Sequence, residues 1–436
     1  MVDLSIPTLQ PWEPKNVRQI AQRKYDKKKK GDKETTSCIG DLETLLAKQR
    51  DPHCPVRTVL VFKDVYVAFM YSEKQLRDLE MFCCNPSDNE KCVLGVDTTF
   101  KLCNMWVTDT SYRNRRLVST RSGDHPVHLG PVMFHFSKDE ETFSRFCLEL
   151  VAANPALLNI QKLGVDMEAA IFNGFKSVLI GLAQLLCTRH LQQRDVLAIE
   201  NCQKKINLSD ETKEKYKNEI LWDLYGKRTG EIFEKGLADS VDSDDFSAKL
   251  LSLQPRWKKL CPGFYAWFTG QRKSQFISSV IQSARAGTSV SGLYYQNDIE
   301  SQHARQKRIQ NFKLGSVVEA VNTISALMEQ EENEEVLALY SPDKYVLASS
   351  YKSWFTSSWW SWSPDRREQH IQNFRRTSPS IESSFVKPLN AGRKPNYRRR
   401  QRLPEAIDVV ERHVPSTLPS LVQPSSPAHP VYQPHH

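Results

Sequence analysis

The sequence predicts an α/β protein whose mixed sheet is flanked by helices, and three observations support that class. Three strand candidates follow one another over residues 93–100, 106–112 and 130–136. Helical and strand patterns then alternate over residues 138–190. A chain of 436 residues is also long enough to bury a large core. Consecutive strands followed by alternating helices and strands are typical of a mixed sheet with helices on its faces.

Two strands and a helix are expected before this region. Residues 58–62 and 65–71 are rich in β-branched and aromatic side chains, so each segment predicts a strand. Ser72 followed by Gln75 is a capping-box pattern, which predicts a helix that ends near residue 83. The core therefore begins with a pair of strands and a short helix.

The alternating region contains a second capping-box pattern. Ser137 and Glu140 have the spacing of that motif, and they predict a helix over residues 138–153. The elements expected next are a strand over residues 163–166, a helix over 168–180, a strand over 184–187 and a helix after His190.

Composition divides the chain into six predicted parts. They are a basic N-terminal arm (1–56), the first part of the core (57–204), a helical insertion (205–290), C-terminal helices that complete the core (291–335), a Trp-rich segment (336–363) and a basic Pro/Arg-rich tail (364–436). We expect the tail to be disordered because 11 of the 23 prolines lie there and the apolar periodicity is lost. The indoles of the Trp-rich segment are expected to pack on the core or on a partner chain, with base stacking as the alternative.

Positive charge is concentrated near the two ends of the chain. Residues 15–30, predicted to be helical from residue 17, hold eight lysines and arginines against Asp26, and residues 375–402 hold nine against Glu382. Such arms suit a polyanion because neutralising phosphates releases counterions. The alternatives are solvated tails or a nuclear localisation signal. The predicted DNA contacts are Lys27, Lys28, Lys29, Lys30, Arg398, Arg399 and Arg400.

Other sequence features argue against membrane and secreted classes. No apolar run approaches the roughly 20 residues that cross a bilayer, so we expect no membrane span. The first residues lack a basic segment followed by an apolar one, so no secretory signal is expected. The ten cysteines are irregularly spaced without a CxxC pair, which indicates reduced thiols of an intracellular protein.

Two aspartates stand out because they interrupt apolar strand patterns. Asp97 lies inside one predicted strand, and Asp166 ends another. A buried carboxylate is costly unless a positive group meets it, and a divalent cation is a common solution. The alternative is that both aspartates cap turns or helices, as Asp166 would if it preceded the helix that starts near Glu168.

Five segments in order resemble a known family. They are residues 93–102 (VLGVDTTFKL), 129–132 (LGPV), 163–170 (LGVDMEAA), 187–191 (CTRHL) and 295–301 (YQNDIES). Together they resemble the signature of Mutator-like element (MULE) transposases, over about residues 57–330. Each segment alone would be weak, but their order and their strand and helix contexts make the set specific.

The resemblance implies a fold, a site and an activity. It implies an RNase H-like fold with Asp97, Asp166 and Glu300 as the catalytic acid triad. These acids would bind Mg²⁺ or Mn²⁺, with Asp97 shared between two ions. The implied activity is phosphodiester hydrolysis and strand transfer on double-stranded DNA, at transposon ends and target DNA, by a nuclear enzyme. The resemblance also allows a homodimer.

The motif Cys187-x-x-His190 has a counterpart in the family. Two residues supply only two ligands of a structural zinc ion, so we expect them instead to steady the site by packing and hydrogen bonding. Contact of His190 with DNA or the scissile phosphate is the alternative.

Five further polar residues lie near the three acids in sequence. His303 is expected to support Glu300 from the same helix face, and Asn297 to orient it. Glu168 is expected to open a helix, although it could replace a metal ligand. Asp298 is expected to be a helix cap, and Asp109 is expected to be a surface residue.

Two rival interpretations remain open at this point. The first is a catalytically inactive, transposase-derived protein that binds DNA or supports an assembly, because the zinc-binding recognition modules common in relatives are absent here. The second is an RNase H-like exonuclease. It is disfavoured because its DxE pair is expected on the first acidic strand, where this chain has Asp97-Thr-Thr.

Overall fold

A computed structural model of the chain describes six stretches, residues 35–51, 54–62, 65–84, 91–100, 102–290 and 292–378. Their strands are β1 (Val56–Phe62), β2 (Val65–Met70), β3 (Leu94–Thr99), β4 (Trp106–Arg113), β5 (Leu117–Ser119), β6 (Val127–His135), β7 (Lys162–Val165), β8 (Ala183–Leu186), β9 (Lys227–Thr229), β10 (Ile232–Glu234) and β11 (Tyr345–Leu347). Seven of these strands form one mixed sheet, in the order β1-β2-β6-β4-β3-β7-β8.

The same stretches contain thirteen α-helices. They are α1 (Thr35–Lys48), α2 (Glu73–Leu79), α3 (Glu140–Ala153), α4 (Ala169–Lys176), α5 (Thr188–Gln203), α6 (Asp210–Tyr225), α7 (Ser243–Leu260), α8 (Phe264–Gln271), α9 (Lys273–Ser279), α10 (Gln282–Arg285), α11 (Asn297–Ile309), α12 (Val317–Leu337) and α13 (Pro364–Arg376). None of them is both long and apolar enough to cross a lipid bilayer.

The sheet changes from antiparallel to parallel pairing once, at β3. Strands β3, β4 and β6 pair antiparallel, whereas β7 and β8 run parallel to β3. Helix α3 leads from β6 to β7, and α4 leads from β7 to β8. The predicted α/β class with a mixed sheet and flanking helices is therefore confirmed.

Both faces of the sheet are covered, so strand β3 is buried on either side. Leu94 and Val96 face a core that includes Phe143 and Phe146 of α3. The opposite face packs against α12, and Val107 of β4 belongs to that second core. Because side chains alternate along a strand, Asp97 lies on the second face together with the neighbouring helix α11, which contacts β3, β4 and β6.

The predicted helical insertion over residues 205–290 contains α6 to α10, which pack around the buried Trp257 in a core that also includes residues of β8 and α5. A short hairpin of β9 and β10, which the sequence did not predict, interrupts the helices. The predicted capping box at Ser72 is confirmed. That at Ser137 is wrong: Asp139 caps α3, because its carboxylate accepts from the Thr142 N–H at 2.8 Å.

The indoles of the Trp-rich segment pack mainly inside the fold. Trp359 is buried and stacks on Tyr340 with ring centroids 4.5 Å apart, and Trp354 and Trp362 pack against the same cluster. Trp360 is 73% exposed. Packing, rather than base stacking, therefore accounts for most of these side chains.

The predicted start of the disordered tail at residue 364 is wrong. Residues Pro364–Arg376 form α13, whose Phe374 is buried. Ser363 caps the helix by accepting from the Arg366 N–H, and Pro364 occupies the first helical position, where its missing N–H costs nothing. A proline at this point opens a helix instead of marking disorder. Residues 379–436 lie outside the described stretches.

A buried network of charges holds α13 to the rest of the fold. Arg116 contacts Asp78 at 2.6 Å and donates to the carbonyl of Arg375 at 2.6 Å. Lys74 lies 2.7 Å from Asp78 and 3.2 Å from Glu335, and Arg375 lies 3.1 Å from Glu335. Burial alone would raise the pKa of Glu335, but Lys74 and Arg116 hold it at about 2. The network thus joins α2, α12 and α13.

We predict that Arg116→Met destabilises the fold severely. The substitution leaves Asp78 and Glu335 buried with fewer cations, and breaking a buried ion pair in this way costs roughly 3–5 kcal/mol. Urea denaturation measures the free energy of unfolding. The control Arg121→Met, at an exposed position, should change it by less than about 0.5 kcal/mol. A loss below about 1 kcal/mol for Arg116→Met would contradict a stabilising role for the network.

Candidate functional site

The pairing of β3 with β7 brings the first two predicted acids to the same level of the sheet. The parallel register pairs Leu94 with Leu163 and Gly95 with Gly164. Continued by two residues, that register places Asp97 beside Asp166, the residue that follows β7. Both carboxylates therefore lie at the carboxyl ends of adjacent parallel strands.

The electrostatic environment of Asp97 reflects burial next to another acid. Its side chain is 19% exposed, and Oδ1 accepts a hydrogen bond from the Thr98 N–H at 2.8 Å. Burial raises the pKa of Asp97, the proximity of His303 lowers it and the Asp166 carboxylate raises it, and the net result is a pKa of about 6. An ionised Asp97 is thus costly in the folded protein unless a cation joins it.

Gly164 makes room for a tyrosine beside the acids. Gly95 and Gly164 precede Asp97 and Asp166 by two residues, so each glycine shares a face with its acid. A Cβ atom on Gly164 would lie 2.0 Å from Oη of Tyr294, and one on Gly95 would lie 3.7 Å from it. The tyrosine ring can lie against β7 only because Gly164 lacks a side chain, whereas a Cβ on Gly95 would make an ordinary van der Waals contact with it.

The segment before α11 is fastened to the ends of the strands. The carbonyl of Tyr294 accepts from the Thr188 N–H at 2.8 Å, and the Gln296 N–H donates to Sγ of Cys187 at 3.3 Å. Gln296 Nε2 also donates to the carbonyl of Val96 at 2.8 Å, next to Asp97. These bonds fix the start of α11 at the end of the sheet where Asp97 and Asp166 lie.

Glu300 is brought to the same end of the sheet by α11. Its N–H donates to the Gln296 carbonyl, and its carboxylate lies 3.3 Å from Arg189 at the start of α5. The side chain is 37% exposed, so it borders solvent. The carboxylates of Asp166 and Glu300 both raise the pKa of His190, which shows that one imidazole lies near the second and third acids.

Cys187 and His190 lie close together inside this cluster. Burial would raise the pKa of the Cys187 thiol, but hydrogen bonds with His190 and the Gln296 N–H outweigh it and lower the pKa. The bond to Cys187 is the main cause of the raised pKa of His190. The Gln296 N–H donates to Sγ of Cys187 at 3.3 Å, which connects the start of α5 to the start of α11. The supporting role of His190 stays a prediction.

Asp109 is fully buried, so the prediction of a surface residue is wrong. It is the cross-strand partner of Asp97, and α11 covers it. His303 lies between the two carboxylates, with Nε2 3.3 Å from Asp109 and Nδ1 3.8 Å from Asp97. Gln306 Nε2 donates to Asp109 at 2.6 Å. Asp109 is the site residue that the sequence analysis missed, and its place opposite Asp97 in a strand pair is the signal that could have revealed it.

The structure also shows where the remaining polar residues of the sequence analysis lie. Asp298 is not a helix cap, because the residue before α11 is Gln296 and the carboxylate of Asp298 instead pairs with Arg113 at 2.8 Å. Glu168 precedes α4, as expected for a helix-opening acid, and pairs with Lys138 at 2.8 Å. Asn297 is the first residue of α11, and its effect on Glu300 stays a prediction.

The residues of the site are chemically suited to bind a divalent cation, but they are not arranged as a complete set of ligands. Carboxylate oxygens are the ligands that Mg²⁺ and Mn²⁺ prefer, and the raised pKa of Asp97 indicates negative charge that a cation would stabilise. Within the described residues, however, no three His, Cys, Asp or Glu side chains are already arranged to hold a metal ion. The predicted DNA contacts of the two basic arms, Lys27–Lys30 and Arg398–Arg400, and the predicted helix over residues 17–30 lie outside those residues.

Comparisons with known proteins add no family assignment. No protein-family model and no curated protein sequence matches this chain. The candidate site therefore rests on the residues and their geometry.

We predict that Asp97→Asn changes the pH dependence of stability. A raised pKa means that the folded protein holds this proton more tightly than the unfolded chain. The contribution of this proton to the free energy of unfolding is complete below about pH 4. It is lost as the pH rises through 6. Relative to the variant, the wild type should lose roughly 2–3 kcal/mol between pH 4 and pH 8 in metal-free buffer.

Urea denaturation at several pH values measures this difference. Asp124→Asn, which changes an exposed carboxylate in a loop, is the matched control. Parallel pH profiles for the wild type and Asp97→Asn would contradict the described environment of Asp97.

Proposed function

We propose that this chain is a transposon-derived DNA transposase of MULE type, with an RNase H-like core that cleaves and joins phosphodiester bonds. The observation that carries the proposal is the parallel register of β3 and β7, which sets Asp97 beside Asp166. The start of α11, fastened to the same strand ends, brings Glu300 to this edge. Three carboxylates from distant parts of the chain thus lie at one edge of the sheet.

The order of the strands supports the RNase H-like part of the proposal. Three consecutive antiparallel strands, β3, β4 and β6, are followed by two strands parallel to β3, and a helix precedes each of those two. This is the arrangement expected for an RNase H-like core, with the first acid on its first and central strand. The strands β1 and β2 extend the sheet on the far side of β6.

In this proposal Asp97, Asp166 and Glu300 would hold Mg²⁺ or Mn²⁺. Such ions supply activation of a water or 3′-hydroxyl nucleophile and stabilisation of the leaving oxygen. His303, which lies between Asp97 and Asp109, supports Asp97. Arg189 provides a cationic group beside Glu300 that can face a phosphate. The Tyr294 ring lies against Gly164, next to the strand ends that carry Asp97 and Asp166.

The partners and location follow from the same proposal. The DNA ends and target would be double-stranded, the two basic arms would contribute phosphate contacts, and the protein would act in the nucleus. These parts rest on the sequence resemblance and on the charge of the arms.

A non-catalytic DNA-binding or assembly protein on the same fold is the second candidate. One observation favours it: the described carboxylates are not closed into a three-ligand group, and Glu300 is engaged by Arg189. A protein that has lost catalysis would retain the fold and the basic arms. Cleavage assays separate the two candidates.

We predict metal-dependent nicking of DNA by the full chain, abolished by Asp97→Asn, Asp166→Asn and Glu300→Gln. Each substitution removes a carboxylate charge while preserving size, so nicking should fall at least about 100-fold. Supercoiled plasmid and element-end DNA with Mg²⁺ or Mn²⁺ are the substrates, and gel electrophoresis measures the products.

The control for this experiment is Asp298→Asn. This acid lies on the same helix as Glu300 but pairs with Arg113, so nicking should persist within about tenfold of wild type. If the wild type binds DNA without nicking it in either metal, the non-catalytic candidate is favoured. Nicking that survives Asp97→Asn would exclude the proposed site.

A further inference from the structure

Exposed aromatic rings lie just beyond the carboxyl end of β3. Phe100 follows the strand by one residue and is 51% exposed, and Trp106 opens β4. The two ring centroids are 6.0 Å apart, in an edge-to-face arrangement. Phe136, 42% exposed, follows His135, the cross-strand partner of Trp106. Phe100 and Trp106 form an apolar surface, and Phe100 is three residues along the chain from Asp97. Phe136 packs edge-on against Tyr66 instead.

A lysine lies over each ring of the central pair. Lys307 Nζ is 5.4 Å from the centroid of Phe100, and Lys138 Nζ is 4.9 Å from that of Trp106. Lys307 belongs to α11, four residues after His303 and therefore on the same helix face. Lys138 also pairs with Glu168, two residues after Asp166, so part of its charge is neutralised. We name Phe100, Trp106, Lys138 and Lys307 the aromatic platform.

A strained turn adds another exposed ring beside the platform. Asn311 and Phe312 have φ of 53° and 58°, a left-handed conformation that costs a bulky side chain on the order of 1 kcal/mol or more. Phe312 is 72% exposed. Gln310 Nε2 and the Gly315 N–H both donate to the carbonyl of Leu102, so this turn is tied to the loop that follows Phe100. The left-handed backbone of this turn holds the apolar Phe312 ring in solvent.

We propose that the aromatic platform binds an unpaired nucleotide of a DNA strand that enters the acid cluster. A base has an apolar face that stacks on aromatic rings whatever its sequence, and the neighbouring phosphates are neutralised by lysine ammonium groups. The platform offers both features together, at the end of the strand that carries Asp97. The choice of DNA as ligand rests on the proposed function, whereas the pairing of exposed rings with lysines is independent of it.

The test compares two DNA probes on the full chain by fluorescence anisotropy. One probe is a blunt duplex, and the other is the same duplex with a single-stranded flank of a few nucleotides. EDTA is present so that no cleavage occurs. Phe100→Leu keeps an apolar side chain but removes the stacking face, so affinity for the flanked probe should fall about tenfold while affinity for the blunt duplex is unchanged. Lys307→Met should lower the salt dependence of flanked-probe binding by about one phosphate contact.

The matched control is Trp360→Leu, which changes an aromatic ring of 73% exposure in the Trp-rich segment. It should leave binding of both probes unchanged. Unfolding in urea must be the same for all variants, which excludes misfolding as the cause of any loss.

Several outcomes would overturn the inference. Unchanged affinity of Phe100→Leu, or equal losses for the two probes, would exclude a site for unpaired nucleotides. A change of oligomeric state in light scattering, without a change in DNA binding, would assign the surface to a protein partner. The result is separable from the proposed function: a flank-specific loss in a wild-type protein that never nicks DNA supports the platform and contradicts the enzyme. Nicking that depends on Asp97 but not on Phe100 supports the enzyme and contradicts the platform.

Discussion

The parallel pairing of β3 with β7 is the constraint on which the candidate site depends. Each strand carries the same four residues, Leu-Gly-Val-Asp, at 94–97 and 163–166, and the pairing aligns the two copies. Because side chains alternate, leucine and valine enter one core while glycine and aspartate share the other face. Gly164 admits Tyr294, which leads into α11 and hence to Glu300. The register of β3 and β7 thus determines the positions of Asp97 and Asp166 along the sheet. It also determines where the segment that leads to Glu300 can pack.

Two buried aspartates differ in the groups that surround them and in the direction of their pKa shifts. Asp78 is compensated by Arg116 and Lys74, and these cations lower its pKa against the effect of burial. Asp97 is influenced mainly by burial, by His303 and by another carboxylate, and its pKa rises. The first arrangement stabilises the folded state. The second leaves negative charge at the sheet edge, which is the electrostatic condition for binding a cation or a phosphate-bound metal ion.

The strands and most helices of the core could be predicted because their apolar patterns are local. The site was harder to predict, since Asp109 stands among threonines and serine in a strand that resembles a solvent-facing one, and only the packing of α11 shows that it is buried. The charge network was missed because Asp78, Arg116 and Glu335 are far apart in the chain. The tail was predicted to be disordered from residue 364 because of its overall proline content. That prediction missed the local signal by which Ser363 and Pro364 begin a helix.

The most direct test of the account is the position of a bound metal ion. Crystals of the full chain soaked in Mn²⁺ allow the ion to be located by anomalous diffraction. The account predicts an anomalous peak coordinated by Asp97 and Asp166, with Glu300 turned away from Arg189 to complete the site, and no such peak in Asp97→Asn crystals. Saturating Mn²⁺ that leaves this sheet edge without a peak, or that binds only elsewhere on the protein, would contradict the claim that the three acids form one cation site.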